Sequence, residues 1–378
     1  MKDIESNGLQ AVILVGGEGT RLRPLTCNRP KPMLPVINRP FLEHVLEYLK
    51  ANGISDVILS MGYKSDVIES HFGDGSKFGV NLVYVVESSP LGTAGGVKNV
   101  ERYISGTCFV FNGDILTDLD LRAMLHAHRA KGSTVTIALT PVDNPSAYGL
   151  VLTEADNRVT AFIEKPSPEQ VTTNLINAGT YILEREVLDR VPANEYYMFE
   201  RGLFPSLLHD GVLVSGYPSP AYWIDIGTPE KYLRVNRDVL HAAISLPTPW
   251  SVATDRISMG ENCRIAPSAR ITGPVVIGND VSLDEECVIV GPSIIGDGTR
   301  LGRGSEVEDA IIWQQVSTGA RVKLKSCVLA DFTRVGDDVH VVGGAVIGDR
   351  CSIGSGNHLA NGARIWPDKT IESNAISF

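Results

Sequence analysis

An α/β chain with a mixed, mostly parallel sheet and helices on both faces, followed by a β-helix, is what this sequence predicts. Three observations predict it. Short apolar runs alternate with helix-spaced runs up to about position 240, the pattern of strands joined by crossover helices. A glycine-rich loop follows the first apolar run at once, and ligand loops of open α/β sheets lie at the carboxyl ends of strands. From Ile265 onward an aliphatic residue recurs every six positions, a period that neither a helix nor an ordinary strand produces.

In order, Val12 to Val15 predicts a short buried strand. Pro24, Pro30, Pro32 and Pro35 forbid a regular helix through the segment after it. Leu42, Val45, Leu46 and Leu49 recur at helical spacing between Phe41 and Asn52, with Pro40 before the first turn and Gly53 as a stop. Strands are expected at Asp56–Met61 and Leu82–Val86, a short helix at Val67–Phe72, and a helix from Val97 after a glycine-rich loop. Cys108 to Asn112 reads as a strand ending in Gly113-Asp114, and Leu119 to Lys131 as a helix. His126 and His128 form H-x-H on that helix, where they point to different sides and serve as surface or packing residues. Thr134–Leu139 and Val159–Ile163 read as strands, the latter entered through a turn at Asp156-Asn157. Pro229 opens a last helix running to Leu240. His241 to Asp255 reads as a linker. The repeat then runs through Ile271, Ile277, Leu283, Ile289, Ile295, Leu301 and Val307. It slips near Trp313, resumes at Val316, Val322 and Val328, slips again at Leu329, and continues from Val335 to Ile371. The expected divisions are 1–240, 241–255 and 256–378.

Composition narrows the function. A chain of 378 residues suggests two domains or more, and 43% hydrophobic residues supply a sizeable core. A formal net charge of −10 argues against a nucleic-acid surface and leaves room only for a local basic patch. No apolar run has the length of a membrane helix, and the N-terminus lacks a signal-peptide core. Six scattered cysteines without a C-x-x-C pair read as reduced residues of a cytoplasmic protein, not as a zinc site or disulfide frame.

The chemistry starts at Gly16, Gly17 and Gly19. A floor almost without side chains lets backbone N–H groups approach phosphates. Thr20 adds a hydroxyl, and Arg21, Arg23, Arg29 and Lys31 add positive charge. The loop is not a dinucleotide fingerprint, because Leu22 stands where the third glycine is needed, and no P-loop motif is present. Two aspartates, Asp114 after its apolar strand and Asp225 within W-I-D-I, occupy places where an unpaired carboxylate is costly.

The string G-G-E-G-T-R-L-R-P-L-T with P-K-P resembles the signature of the sugar-phosphate nucleotidylyltransferases. Motif after motif extends the likeness: P-L-G-T-A-G-G at 90–96, F-N-G-D at 111–114, E-K-P at 164–166, I-N-A-G-T-Y at 176–181 and W-I-D-I-G-T-P at 223–229. The resemblance implies a Rossmann-like catalytic fold with a left-handed β-helix of hexapeptide repeats appended. It also implies roles. Leu14, Gly16, Gly17, Gly19, Thr20, Arg21 and Lys31 would take the nucleotide, with Glu87, Leu91, Gly92 and Thr93 against the base. Asp114 and Asp225 would hold Mg2+. Gly149, Glu164, Lys165 and Asn177 would take the sugar phosphate, Lys165 on its phosphate. The 90–96 string resembles the guanylyl-transferring members and, taken together with the appended β-helix, the resemblance implies GTP and mannose 1-phosphate as substrates. Glucose-1-phosphate thymidylyl or uridylyl transfer is the alternative. Two further readings are a non-catalytic regulatory subunit and an added acetyl transfer on the β-helix using His340 or His358. The β-helix is expected to mediate self-association into a homo-oligomer, with no nucleic-acid or membrane partner.

Overall fold

The computed structural model describes residues 8–244 and 256–377; the expected linker therefore lies outside the described residues from 245 to 255, as do residues 1–7. Packing groups the chain into two units, each discontinuous in sequence. One runs through Gly17 and resumes over Val45–Asp225; the other takes Glu18–His44 together with the chain from Ile226 onward.

The first unit is built on a nine-stranded mixed sheet. Its strands are β1 (Gln10–Val15), β2 (Asp56–Met61), β3 (Asn81–Val86), β4 (Cys108–Asn112), β6 (Val135–Pro141), β7 (Gly149–Thr153), β8 (Val159–Glu164), β9 (Leu175–Leu183) and β10 (Val214–Pro218); β5 (Ile115–Thr117) lies outside this sheet. The order β8-β7-β9-β4-β1-β2-β3 has β6 branching from β9, and β10 pairs in turn with β6. Strands β4, β1, β2 and β3 are parallel, whereas β9 runs antiparallel to its neighbours. Gln10–Val15 is buried or nearly so along its whole length, as a central parallel strand must be. Helix α1 (Phe41–Ala51) crosses from one unit to the other and stops at Gly53, whose φ of 85° suits glycine. Helices α2 (Ser65–Phe72), α3 (Gly92–Asn99), α4 (Leu121–Lys131) and α5 (Phe204–His209) follow. The Asp120 carboxylate caps α4 by accepting the Ala123 N–H at 2.9 Å. On α4, His128 is buried between Thr136 and Glu184 while His126 is exposed, so the packing reading holds for one and the surface reading for the other.

One helix differs from expectation. α3 begins at Gly92, not at Val97, and takes the glycines into its first turns. They are there for close approach, not for looseness. A β-carbon at Gly95 would sit 2.7 Å from the Glu195 carbonyl oxygen, and one at Gly96 would sit 2.8 Å from Glu87.

In the second unit the chain forms a left-handed β-helix whose three faces are parallel sheets of seven, seven and six strands. Ile277, Ile295, Ile312, Leu329, Ile347 and Ile365 stand in register on one face. The steps to Ile312 and to Leu329 are each one residue shorter than the eighteen between Ile277 and Ile295. The inward positions of the shortened coils are consequently Ile312, Thr318 and Leu324, in register with Ile295, Val335 and Val307. This corrects the expected Val316, Val322 and Val328. Val316 and Val322 are still core residues, two positions ahead of the inward ones; Val328 lies on the outward row of the first face, with Val276, Ile294, Ile311 and Val346. That outward row is buried. Other parts of the same unit bond this face and the corner beside it: helix α6 (Pro229–Leu240), through Tyr232 to Trp313, and the Glu18–His44 segment, through Asn38 to the Ile295 carbonyl.

Candidate active site

In the first unit, the ends of β1, β2, β3 and β4 set the floor. Leu14 pairs with Ser60 on one side and Asn112 on the other. The Gly113 N–H donates to the Leu14 carbonyl at 2.9 Å, and a β-carbon at Gly113 would lie 2.5 Å from that oxygen. Glycine at 113 is thus what lets the chain turn directly over β1. Gly16 packs against Gly62, while nothing approaches the place of a β-carbon at Gly17. The backbone there is open, as a phosphate-binding floor requires.

The Glu87 carboxylate is fixed from two sides. Ser60 donates to it at 3.0 Å and the Leu91 N–H at 3.1 Å, so the acid is held at the start of α3. Thr93 is engaged within the chain: its hydroxyl accepts the Phe199 N–H at 2.9 Å and donates to Glu200 at 3.3 Å. Gly92, at φ 73°, lies under the Tyr197 carbonyl. The expected base wall is therefore one structure, α3 clipped to the loop from Tyr197 to Glu200.

Asp114 and Asp225 are brought together by a pairing the sequence pattern did not announce. Strand β5 pairs antiparallel with β11 (Trp223–Asp225), and Asp225 stands opposite Ile115, the neighbour of Asp114. The Trp223 indole N–H anchors β11 to the Ala178 carbonyl at 2.8 Å, and the Tyr148 hydroxyl reaches Asp225 at 3.3 Å. Among the described residues no group of three or more His, Cys, Asp or Glu side chains could hold a metal. Two carboxylates suit an ion that takes its other ligands from water and phosphate, as Mg2+ does.

Across β7 and β8, Gly149 stands opposite Glu164, and a β-carbon at 149 would lie 3.0 Å from the Glu164 carboxylate. Lys165 follows at once, exposed, with its backbone in the left-handed region at φ 50°. A non-glycine residue there costs about 1–2 kcal/mol, and such strain clusters at functional sites. Asn177 accepts the Gly179 N–H at 2.9 Å and donates to Tyr181 at 2.9 Å.

Glu200 was missed from the sequence. It sits at the start of a π-turn, Phe199–Leu203, with its carboxylate at the Thr93 and Tyr181 hydroxyls, both 3.3 Å away. Burial pushes its carboxyl up and the nearby Glu164 charge adds to this, against its own backbone N–H and the Thr93 and Tyr181 hydroxyls. The only signal was an acid set among apolar residues in M-F-E-R-G-L-F, the same cue that singled out Asp225. Asn112 was also missed; its amide nitrogen fills the space beside Gly179, and its Oδ1 is buried without a partner.

In the second unit, Gly19 adopts φ 62° and its carbonyl accepts the Thr26 hydroxyl at 2.8 Å. A β-carbon there would lie 3.1 Å from the Thr26 methyl and 3.4 Å from the Lys31 stem. Thr20 and Arg21 are exposed in a single 3-10 turn. Arg23 pairs with Glu18 at 3.1 Å, whereas Arg29 pairs with Asp331 of the β-helix.

An enzyme that joins phosphates is the class to which a glycine floor, two aspartates on neighbouring strands and cations next in the sequence point. The family profile described as Nucleotidyl transferase matches residues 10–242, well over half of the chain, and the chain belongs to that family, in its sugar-phosphate branch. The profile of the EIF2B subunit epsilon LbH domain matches residues 255–359. A mannose-1-phosphate guanylyltransferase of Mycobacterium tuberculosis is 39% identical over 82% of either chain. A UTP–glucose-1-phosphate uridylyltransferase of Synechocystis is 33% identical over 84% of this chain and 86% of its own. Among solved structures, HddC from Yersinia pseudotuberculosis, crystallised with GMP-PN, is 32% identical with a TM-score of 0.54, covering 61% of this chain and 99% of its own.

Proposed function

We propose that this nucleotidyltransferase moves a guanylyl group from GTP to mannose 1-phosphate, giving GDP-mannose and pyrophosphate. The observation that carries the reading is the likeness to mannose-1-phosphate guanylyltransferases from several organisms, over at least four-fifths of the chain. A phosphate oxygen of the sugar phosphate attacks the α-phosphorus, the bond between that phosphorus and the oxygen bridging to the β-phosphate breaks, and pyrophosphate leaves. No nucleophilic side chain is needed, because positioning and charge neutralisation dominate phosphoryl chemistry.

Each residue then has a task. Backbone N–H groups at Gly16, Gly17, Gly19 and Thr20 hold phosphate oxygens. Arg21 and Lys31 neutralise the triphosphate and the leaving pyrophosphate. Glu87, held by Ser60 and the Leu91 N–H, accepts from the base edge beside Gly92 and Thr93. Lys165 holds the attacking phosphate, and Glu164 and Asn177 take sugar hydroxyls, with Glu200 steadying Asn177 and Thr93. Asp114 and Asp225 would hold Mg2+, which when bound supplies charge neutralisation at the phosphates. Among the described residues no helix is long and apolar enough to cross a membrane. All six cysteines are free. The β-helix, with Phe332 and Trp366 about half exposed, is the proposed surface for pairing with a second copy.

The test is pyrophosphate release with magnesium, across four nucleoside triphosphates and both mannose and glucose 1-phosphate. Strong release with GTP and mannose 1-phosphate alone is expected. A preference for UTP or dTTP with glucose 1-phosphate would overturn the substrate assignment and favour the relationship to the Synechocystis enzyme. In the same assay Arg21→Ala and Asp225→Ala are expected to lose about a hundredfold or more in turnover, with folding intact.

A further inference from the structure

The segment Glu18–His44 carries Arg21 and Lys31, yet before Phe41 it has only two single 3-10 turns and a two-residue hairpin of its own. Its backbone must find partners elsewhere. Within its unit it finds them on the β-helix and on α6.

One corner of the β-helix carries a ladder of polar residues, Asn279, Asp297, Gln314, Asp331 and Asp349. Oδ1 of Asn279, Asp297, Asp331 and Asp349 each accepts a backbone N–H from the coil before, at 2.8, 2.8, 3.2 and 3.2 Å. At Asp331 and Asp349 the second oxygen turns to the segment. Asp331 Oδ2 takes the Arg29 guanidinium, and Asp349 Oδ2 accepts from Asn28 at 2.9 Å. Both aspartates are buried. The Arg29 guanidinium lies 4.3 Å above the Trp313 ring, whose N–H donates to the Tyr232 hydroxyl, which in turn donates to the Pro35 carbonyl. The Ile37 N–H goes to Asn236 and the Asn38 amide to the Ile295 carbonyl. Last, Arg364 donates to the carbonyls of Arg21 itself, at 3.3 Å, and of Arg23, at 3.4 Å.

Apolar packing would hold two elements together at less cost, since buried charges gain little net stability. What buried, directional pairs supply is one placement. We propose that Asp331, Asp349 and Arg364 are positioning residues for the phosphate grip: the β-helix sets where Arg21 and Lys31 stand and so sets affinity for the nucleoside triphosphate. This rests on the role given above to Arg21 and Lys31.

The test uses full-length protein and three variants, Arg364→Gln, Asp331→Asn and the apolar pair Arg29→Met with Asp331→Leu. Amide hydrogen exchange over residues 19–34, melting temperature and the KM of each substrate are read. In the single variants, exchange is expected to quicken and the KM for the nucleoside triphosphate to rise about tenfold, while that for the sugar phosphate stays within about twofold. The apolar pair separates placement from stability: it sheds two buried charges but also the acceptor of the Gln314 N–H, so it is expected to melt near the wild-type temperature and still show the raised KM. Quickened exchange with an unchanged nucleotide KM would overturn the proposal. So would an equal rise in both KM values, or wild-type behaviour in the apolar pair. Titration calorimetry with GTP and with UTP reads nucleotide affinity without turnover, so a wrong substrate assignment and a wrong positioning role give different results.

Discussion

Glu200 illustrates what a single buried acid contributes. Its carboxyl is raised by burial, so the fold favours the protonated form. The stability this gives is present in acid and lost as pH rises through the folded-state pKa. Glu200→Gln removes that loss. The variant is expected to melt higher than wild type at neutral pH, with the gap closing as pH falls toward the ordinary glutamate range near about 4. Its transfer rate should nevertheless fall, because Thr93 and Asn177 lose a charged partner. Scanning calorimetry across pH with a parallel activity assay checks both, and superimposable pH–stability profiles would refute the burial argument. Residues such as Arg21, Lys31, Asp114, Lys165 and Asp225 were legible because they sit in contiguous strings with distinctive spacing. Glu200 and Asn112 were not, since what makes them matter is enclosure by Thr93, Tyr181 and Gly179, which are distant in sequence.

Elements were legible to the extent that their pattern was local. Helix α1 and strands β2 and β4 stand where periodicity placed them, because one buried face dictates each. Helix α3 did not, because glycines read as loop unless something presses on them. The β-helix was legible as a fold but not in its middle register. Inward and corner rows are both aliphatic, and two coils are one residue short. The corrected register is testable. Leu324→Ala removes an inward side chain and is expected to cost about 2–5 kcal/mol. Asp120→Ala, which deletes the cap of α4, should cost about 1 kcal/mol. Chemical denaturation of the two variants checks the order, and a Leu324→Ala protein as stable as wild type would reject the register.

At the scale of the whole molecule, association through the β-helix predicts sedimentation as more than a monomer. Phe332→Glu with Trp366→Glu should shift that to a single-copy species at unchanged fold, and a wild-type monomer at all concentrations would exclude it. The amino-acid sequence by itself determined the family, the two architectures and most of the candidate site, because glycine floors, acids at strand ends and a period of six are properties of short strings. Tertiary structure decided three things: the meeting of Asp114 with Asp225 through β5 and β11, the clipping of α3 to Glu200, and the attachment of the Glu18–His44 segment to the β-helix. Each depends on pairing between residues roughly a hundred to three hundred positions apart. Such pairings are chosen by burial and hydrogen-bond satisfaction over the folded chain, and no local pattern encodes them.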